Sequence, residues 1–253
     1  MNWIGLGTLL AKEVHRFSKV ALQTVVSPLI STSLYFLVFG VALGARLREV
    51  QGIPYIEFVV PGLVMLAMIN ASFLNTSSSI FQAKINGTIL DILVAPLGAR
   101  EFIVAFLAAA ALRSLLVGAL VFIVAFIFNG MGVAHPLYTL LFSLMVSATF
   151  AAFGILVAIW AEKYDHLAAV PNFVLTPLTF LGGVFYSVEM LPHPWDTVSR
   201  LNPILYMVNG MRYGLLDRSD VSPGVALGVV SVGLLTTVLV TWRVVASGYK
   251  LRT

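Results

Sequence analysis

Cysteine is missing altogether and charge nearly so: the 253 residues hold no Cys, and only 10% of them are Asp, Glu, Lys or Arg. Without thiols there is no disulfide framework, no thiolate zinc site and no Fe–S ligation, and the redox compartment stays unread. A soluble domain carries roughly a quarter charged and roughly 45–50% apolar residues. At 59% hydrophobic and a mean hydropathy of +0.97, this chain is no water-soluble globular enzyme. Disorder is excluded too, since it requires low hydrophobicity and high net charge. Catalytic motifs are equally scarce. His15, His135, His166 and His193 stand apart without HExxH or HxxxH spacing, and no GxSxG elbow occurs. No lysine follows a glycine, so the GxxxxGK[ST] phosphate loop is absent and the chain cannot hydrolyse a nucleotide by that route. Fifteen Lys+Arg against 11 Asp+Glu leave +4, a thin surplus for binding nucleic acid.

What the chain has instead is long uncharged stretches: residues 20–45, 58–83, 114–161, 166–188 and 221–242. Splitting the longest at Asn129-Gly130 and His135-Pro136 gives six spans, at 22–43, 58–80, 104–128, 138–160, 167–187 and 223–243. Each crosses a hydrocarbon core of about 30 Å as a helix rising 1.5 Å per residue. The expected fold is an all-α integral membrane protein with six transmembrane helices, residues 1–253 forming one transmembrane domain. Lys12, Arg16, Lys19, Lys84, Arg100, Lys163, Arg243, Lys250 and Arg252 fall on one side, and Arg46, Arg48, Arg200, Arg212 and Arg218 on the other. The excess of basic residues on the first side makes both termini cytoplasmic.

Residues 1–19 carry charges where a signal peptide needs an apolar core. On a helical wheel Trp3, Leu6, Leu10, Val14 and Phe17 share one face and Lys12, His15, Arg16 and Lys19 the other, the pattern of a helix lying in the membrane interface. The cytoplasmic connection 81–101 breaks at Asn86-Gly87. Thr88 is then placed to N-cap a short helix carrying Ile89, Ile92 and Leu93, with Asp91 at the capping-box position and Pro96 and Gly98 ending it. Such a helix is either a docking element or the tip of a helical hairpin. The external connection 187–220 contains an apolar run, Leu201 to Gly210, too short to span and bounded by Pro203 and Gly210; this reads as a re-entrant segment or a packed surface loop. Pro61-Gly62 in the second span and Pro171, Pro177 and Gly182-Gly183 in the fifth are expected to interrupt their helices, either along a transport path or for packing. Arg113 is the one clearly intramembrane charge, within snorkelling reach of the cytoplasmic headgroups. Ser77-Ser78-Ser79 reads as a small polar helix–helix contact.

Several of these pieces together resemble the ABC-2 type permeases, the membrane subunits of ATP-binding-cassette exporters. They are the amphipathic N-terminus, the six spans, Asn86-Gly87-Thr88 followed by Leu93-Val94-Ala95-Pro96-Leu97, Phe58-Val59-Val60-Pro61-Gly62-Leu63, and above all the run from Pro177 to Gly214. The resemblance covers nearly the whole chain. It implies a homodimer in a bacterial inner membrane, each copy surrounded by lipid and holding one separate ATPase subunit, so that two ATPase copies bind the ATP and Mg and this chain needs no cofactor of its own. It implies a coupling helix at 88–95, with Asn86, Gly87, Thr88, Asp91 and Arg100 as ATPase-coupling residues; Asn86 stands where many members carry a charged residue. Spans one, two and five would line the path, with Tyr35, Phe39, Asn70, Asn75, Asn172, Thr176 and Thr179 as candidate lining residues, and Pro203, Tyr206 and Asn209 would form the external gate. A path without carboxylates suits a neutral, amphipathic or anionic cargo: drug-like, lipidic or glycolipid-like. The alternative is a secondary transporter of inverted three-helix repeats, supported by Pro/Gly interruptions in both the second and fifth spans and opposed by the lack of a mid-membrane proton carrier.

Overall fold

A computed structural model of the chain describes residues 1–43, 49–50 and 52–250, and most of them are helical. Arg46, Arg48 and Arg252, used above to orient the spans, lie outside the described residues. The first helix, α1 (Trp3–Lys19), opens with the Asn2 side chain accepting the Gly5 N–H at 3.0 Å and ends on Arg16 and Lys19, cations placed against the C-terminal end of the helix dipole. Its buried face is Leu9, Glu13 and Phe17. The apolar stripe expected from the wheel is therefore shared with a fully buried carboxylate, while Trp3 stays 71% exposed.

After α1, α2 (Ala21–Tyr35) contains Pro28 and passes directly into a π-helical stretch, Phe36–Leu43. A two-residue hairpin, β1 (Glu49–Val50) and β2 (Ile53–Pro54), leads into α3 (Tyr55–Ile85). At 31 residues α3 is about 46 Å long, more than a membrane core requires. It runs unbroken through Pro61, contrary to the expected interruption. Gly62 instead serves packing: a Cβ there would lie 2.8 Å from the Cα of Val184. The short α4 (Ile89–Val94) follows, then α5 (Ala99–Asn129), closed by Gly130 at φ +67°, and α6 (Pro136–Trp160). The predicted fifth span is wound in three pieces: α7 (Tyr164–Val170), a π-helical turn Pro171–Leu175 and α8 (Thr176–Leu181). Pro171 and Pro177 remove backbone donors there, so the ladder shifts register instead of continuing. A 3-10 turn (Val188–Met190) and α9 (Trp195–Arg200) precede α10 (Pro203–Leu216) and α11 (Pro223–Ser247).

Four helices, α3, α5, α6 and α11, are long and apolar enough to cross a membrane. The chain is thus an all-α membrane protein, and α3 is its axis: α5, α6 and α10 pack on it, and α11 packs on α6 and α10. Small residues let α3 and α6 approach. A Cβ on Gly154 would lie 2.6 Å from the Phe73 carbonyl oxygen, the Thr76 hydroxyl donates to Ala151 O at 2.9 Å, and Ser72 donates to Ser147 O. Within the membrane-length part of α3 the polar contact with α6 is made by Ser72 and Thr76, while Ser79 makes its helix–helix contact with Glu13 of α1. At 14 residues, about 21 Å, α10 is too short to span, yet it is buried against α3, α6 and α11.

Connections sort to two ends of the bundle. At one end the Asn2 amide donates to Glu101 Oε1 at 3.1 Å and its side chain to Pro96 O at 3.1 Å. Lys84 Nζ caps the last carbonyls of α6, Ile159 at 2.9 Å and Ala161 at 3.0 Å, and Lys250 pairs with Glu162 at 2.7 Å. That pairing holds the exposed Glu162 carboxyl below the usual carboxylate range and raises the Lys250 ammonium. At the other end the His135 amide donates to Gly214 O at 2.8 Å, and its ring bonds Asp217 at 2.8 Å.

Candidate functional site

Between α1, α2, α3, α5 and α8 lies a cavity of about 560 Å³. On α3 it runs from Leu63 to Ser78, about 22 Å at 1.5 Å per residue. Tyr35, Leu63 and Phe180 lie toward one end, and Arg16, Ser78 and Arg113 toward the other. The ring of Tyr35 lies 6.1 Å from that of Phe39 and 5.8 Å from that of Phe185, which itself stacks on Phe39 at 4.2 Å. The broken helices supply this wall, because a π-helical stretch and a proline-interrupted helix bend out of the close packing that α3, α5 and α6 keep.

Of the residues expected on the path, Tyr35, Asn70 and Thr176 line the cavity, and Phe39 joins it through the aromatic cluster. Thr179 is buried with its hydroxyl donating to Leu175 O, and Asn172 is exposed on the π-helical turn. Asn75 is fully buried behind the cavity wall and acts as a clasp. Arg16 Nη2 donates to its carbonyl at 2.8 Å and to its Oδ1 at 3.1 Å, and Arg113 Nη1 donates to the same Oδ1 at 3.4 Å. Arg113 thus turns to α3 rather than to a headgroup layer. Glu13 completes the cluster: its Oε2 accepts from Arg16 at 3.0 Å and its Oε1 from the Ser79 hydroxyl at 2.9 Å. The helical wheel places Arg16 on the basic face of an interfacial helix and gives Glu13 no role; in the structure both are held against α3. The signals that could have found them are the i,i+3 spacing of Glu13 and Arg16 and the i,i+4 spacing of Asn75 and Ser79.

At the end that holds Asn2 and Glu101, residues 86–98 form a helical elbow. Asn86, Gly87, Thr88 and Asp91 are exposed on it, Arg100 is exposed in the first turn of α5 beside it, and Gly87 turns the chain at φ +73°. Thr88 does not cap: its backbone is already helical, and its hydroxyl turns back toward Ala83 O at 3.4 Å. The helix begins at Ile89, directly after Thr88, without a side-chain cap. Ile89 is buried and Ile92 and Leu93 pack on the bundle, whereas Leu90 is 53% and Val94 85% exposed.

At the opposite end the expected gate residues separate in role. Pro203 is exposed at the first turn of α10, and Tyr206 donates its hydroxyl to Arg200 O at 2.9 Å. Asn209 is fully buried; its Oδ1 accepts from Arg212 Nη1 at 3.2 Å and from the Asp220 amide at 2.9 Å. Arg212, counted above as an external loop charge, is wholly buried. Its Nη1 is 3.6 Å from Asp220 Oδ2, its Nη2 donates to Gly183 O at 2.8 Å, and its guanidinium sits 3.9 Å from the Phe58 ring centroid. This one side chain ties α10 to α3, to the turn after α8 and to the start of α11.

A helical membrane protein with a cavity that is aromatic at one end and polar at the other, beside membrane-length helices, has the architecture of a transport subunit. The chain belongs to the ABC-2 type transporter family, whose sequence model matches residues 5–216, and within it is a membrane transport permease. It is 38% identical over 252 residues to the inner membrane transport permease YadH of Escherichia coli K12, spanning 100% of this chain and 98% of that protein. Nodulation protein J of Sinorhizobium fredii is 29% identical over 231 residues, 90% of this chain and 86% of the relative. Nodulation protein J of Rhizobium meliloti is 26% identical over 230 residues.

Proposed function

We propose that the chain is the permease subunit of an ATP-binding-cassette exporter for an amphipathic, lipidic or glycolipid-like cargo. It crosses a bacterial inner membrane six times, by α3, α5, α6 and α11 and by the two broken helices Ala21–Leu43 and Tyr164–Leu181, with both termini in the cytoplasm. Two copies form the path through surrounding lipid, and each holds a separate ATPase subunit that binds ATP and Mg. The elbow, with Asn86, Gly87, Thr88, Asp91 and Arg100, seats on the ATPase. Tyr35, Phe39, Asn70 and Thr176 face the cargo, Asn75 positions the arginines beside it, and Asn172 and Thr179 belong to the same moving helix. Pro203, Tyr206 and Asn209 lie in the segment that closes the outer end.

The observation that carries this reading is the divided face of α4: Ile89 is buried in the bundle, while Leu90 and Val94, one turn apart, stand exposed beside Asp91. Family membership and the full-length likeness to a transport permease agree with it. The secondary-transporter alternative loses its main support, because α3 is unbroken at Pro61 while the predicted fifth span is wound in three pieces. The test is purification from the native membrane. An ATPase bearing the phosphate loop is expected to accompany the wild type in a one-to-one ratio and to dissociate from a Leu90→Asp, Val94→Asp variant that stays monodisperse. Retention of the ATPase by that variant, or its absence from the wild type, overturns the assignment.

A further inference from the structure

The polar end of the cavity has a charge imbalance that its own residues do not resolve. Arg16 and Arg113 come from different helices, yet both donate to the same oxygen, Asn75 Oδ1, at 3.1 and 3.4 Å. Two like charges held on one neutral acceptor repel each other, and among the described residues Glu13 alone pairs with either of them. Its carboxylate is shared among Arg16 at 3.0 Å, the Ser79 hydroxyl at 2.9 Å and Lys12 at 3.4 Å. Arg113 has no acidic partner among the described residues. A guanidinium offers five N–H donors, and the described residues engage one of those of Arg113, leaving its buried Nε without an acceptor. Idle donors on a half-buried cation are costly unless an anion meets them. Both arginines line the cavity, and no carboxylate does.

The rest of the cavity sets what that anion is attached to. Beyond the arginines the wall is neutral, with Leu63, Leu66, Val117 and Phe180 set among the uncharged polar groups of Asn70 and Thr176, a length of lining that a free inorganic anion would leave empty. A volume of about 560 Å³ falls in the range of sites for drug-sized molecules, about 300–1,000 Å³. We propose that this cavity holds an amphiphile with an anionic phosphate headgroup, the phosphate bridging Arg16 and Arg113 and the chain lying along α3 toward Tyr35 and Phe180. The site rests on the transport reading for its purpose, and it narrows the cargo to an anionic amphiphile. The headgroup end of the cavity and the elbow lie at the same end of the bundle, so the amphiphile is taken from the leaflet on the ATPase side.

The test uses the protein purified with whatever subunits accompany it, in phosphatidylcholine nanodiscs. The probes are dioctanoyl phosphatidic acid, dioctanoyl phosphatidylcholine and inorganic phosphate, with binding read by native mass spectrometry. The acid is expected to bind at least about tenfold more tightly than the choline lipid. Arg113→Gln should weaken the acid by about 10- to 100-fold, the loss of one or two charge-assisted hydrogen bonds, and leave the choline lipid unchanged. Arg16→Gln carries the same test should Arg113→Gln fail to fold, and Arg113→Lys should restore part of the affinity. Equal affinities for the two lipids, or an acid affinity unmoved in either Gln variant, overturns the proposal. Inorganic phosphate binding as tightly as the acid overturns its amphiphile part. Binding that behaves as expected in a protein that carries no ATPase leaves the site standing and refutes the ATPase-driven export reading alone.

Discussion

Replacing Asp220 by Asn isolates the charge that balances the buried Arg212. The two side chains are 0% and 2% exposed, and their closest approach is 3.6 Å. The substitution preserves shape and keeps one acceptor oxygen, for the Val188 amide at 3.2 Å; an NH2 takes the place of the oxygen that now accepts from Ser187 Oγ at 2.9 Å, and that hydroxyl can turn to accept from it. What it removes is the counter-charge. Breaking a buried pair from one side costs about 3–5 kcal/mol. Arg212 keeps neutral acceptors at Gly183 O and Asn209 Oδ1 and the Phe58 face, so the expected loss lies at the lower end, about 3 kcal/mol. Removing both charges, by Arg212→Met with Asp220→Asn, strands only the Gly183 carbonyl and costs about 1–3 kcal/mol. The double variant should therefore be no worse than Asp220→Asn alone, so that the two single losses do not add. Chemical unfolding in detergent, followed by the fluorescence of the four tryptophans, measures all four corners of the cycle. A single variant within about 0.5 kcal/mol of wild type, or strictly additive losses, would refute the idea that this pair holds α10 in place.

Two further outcomes follow from packing and from charge. Gly154→Ala forces a methyl group to 2.6 Å from Phe73 O and should destabilise by about 1–3 kcal/mol, whereas Gly7→Ala, with open space around it, should be neutral or slightly stabilising in the same unfolding assay. The Glu162–Lys250 pair should loosen at both pH extremes. The lowered Glu162 pKa contributes stability that is present above the ordinary carboxylate value and is lost as pH falls through the lowered one; the raised Lys250 pKa contributes stability lost as pH rises through its own. The pair is exposed, so the effect is local. Amide exchange at residues 245–249 should be slowest near neutral pH and quicken below the carboxylate range, and a pH-independent rate once intrinsic exchange is subtracted would contradict the tether.

How far the sequence foretold this structure depended on the range of the interaction. Uncharged stretches located α3, α5, α6 and α11 because each such helix must satisfy its own backbone and carries few charges within the hydrocarbon core, Arg113 of α5 being the exception. The elbow was legible from Asn86-Gly87 and Pro96, both local signals, although the capping role expected of Thr88 was not met. Reading each charge as a marker of a loop failed where tertiary partners absorb it. Glu13 finds Ser79 and Arg212 finds Gly183 across 66 and 29 positions, distances at which no local pattern speaks. Proline was ambiguous for a similar reason. Pro61 is accommodated in an unbroken α3, while Pro171 and Pro177 accompany a π-helical turn that divides theirs. Among the cargo-facing candidates, Tyr35, Asn70 and Thr176 were recoverable as polar positions on apolar helices. Asn75 was found for its polarity, but its work as the clasp of two arginines needed coordinates.

The most direct test of a permease that draws its energy from a separate subunit is reconstitution with and without that subunit. Proteoliposomes holding the chain together with the ATPase purified alongside it should move a fluorescent phosphatidic acid between leaflets only when Mg-ATP is supplied on the elbow side. Liposomes holding the chain alone should show no nucleotide-dependent movement. Movement at the same rate by the chain alone, without nucleotide, would contradict the division of labour between the two subunits.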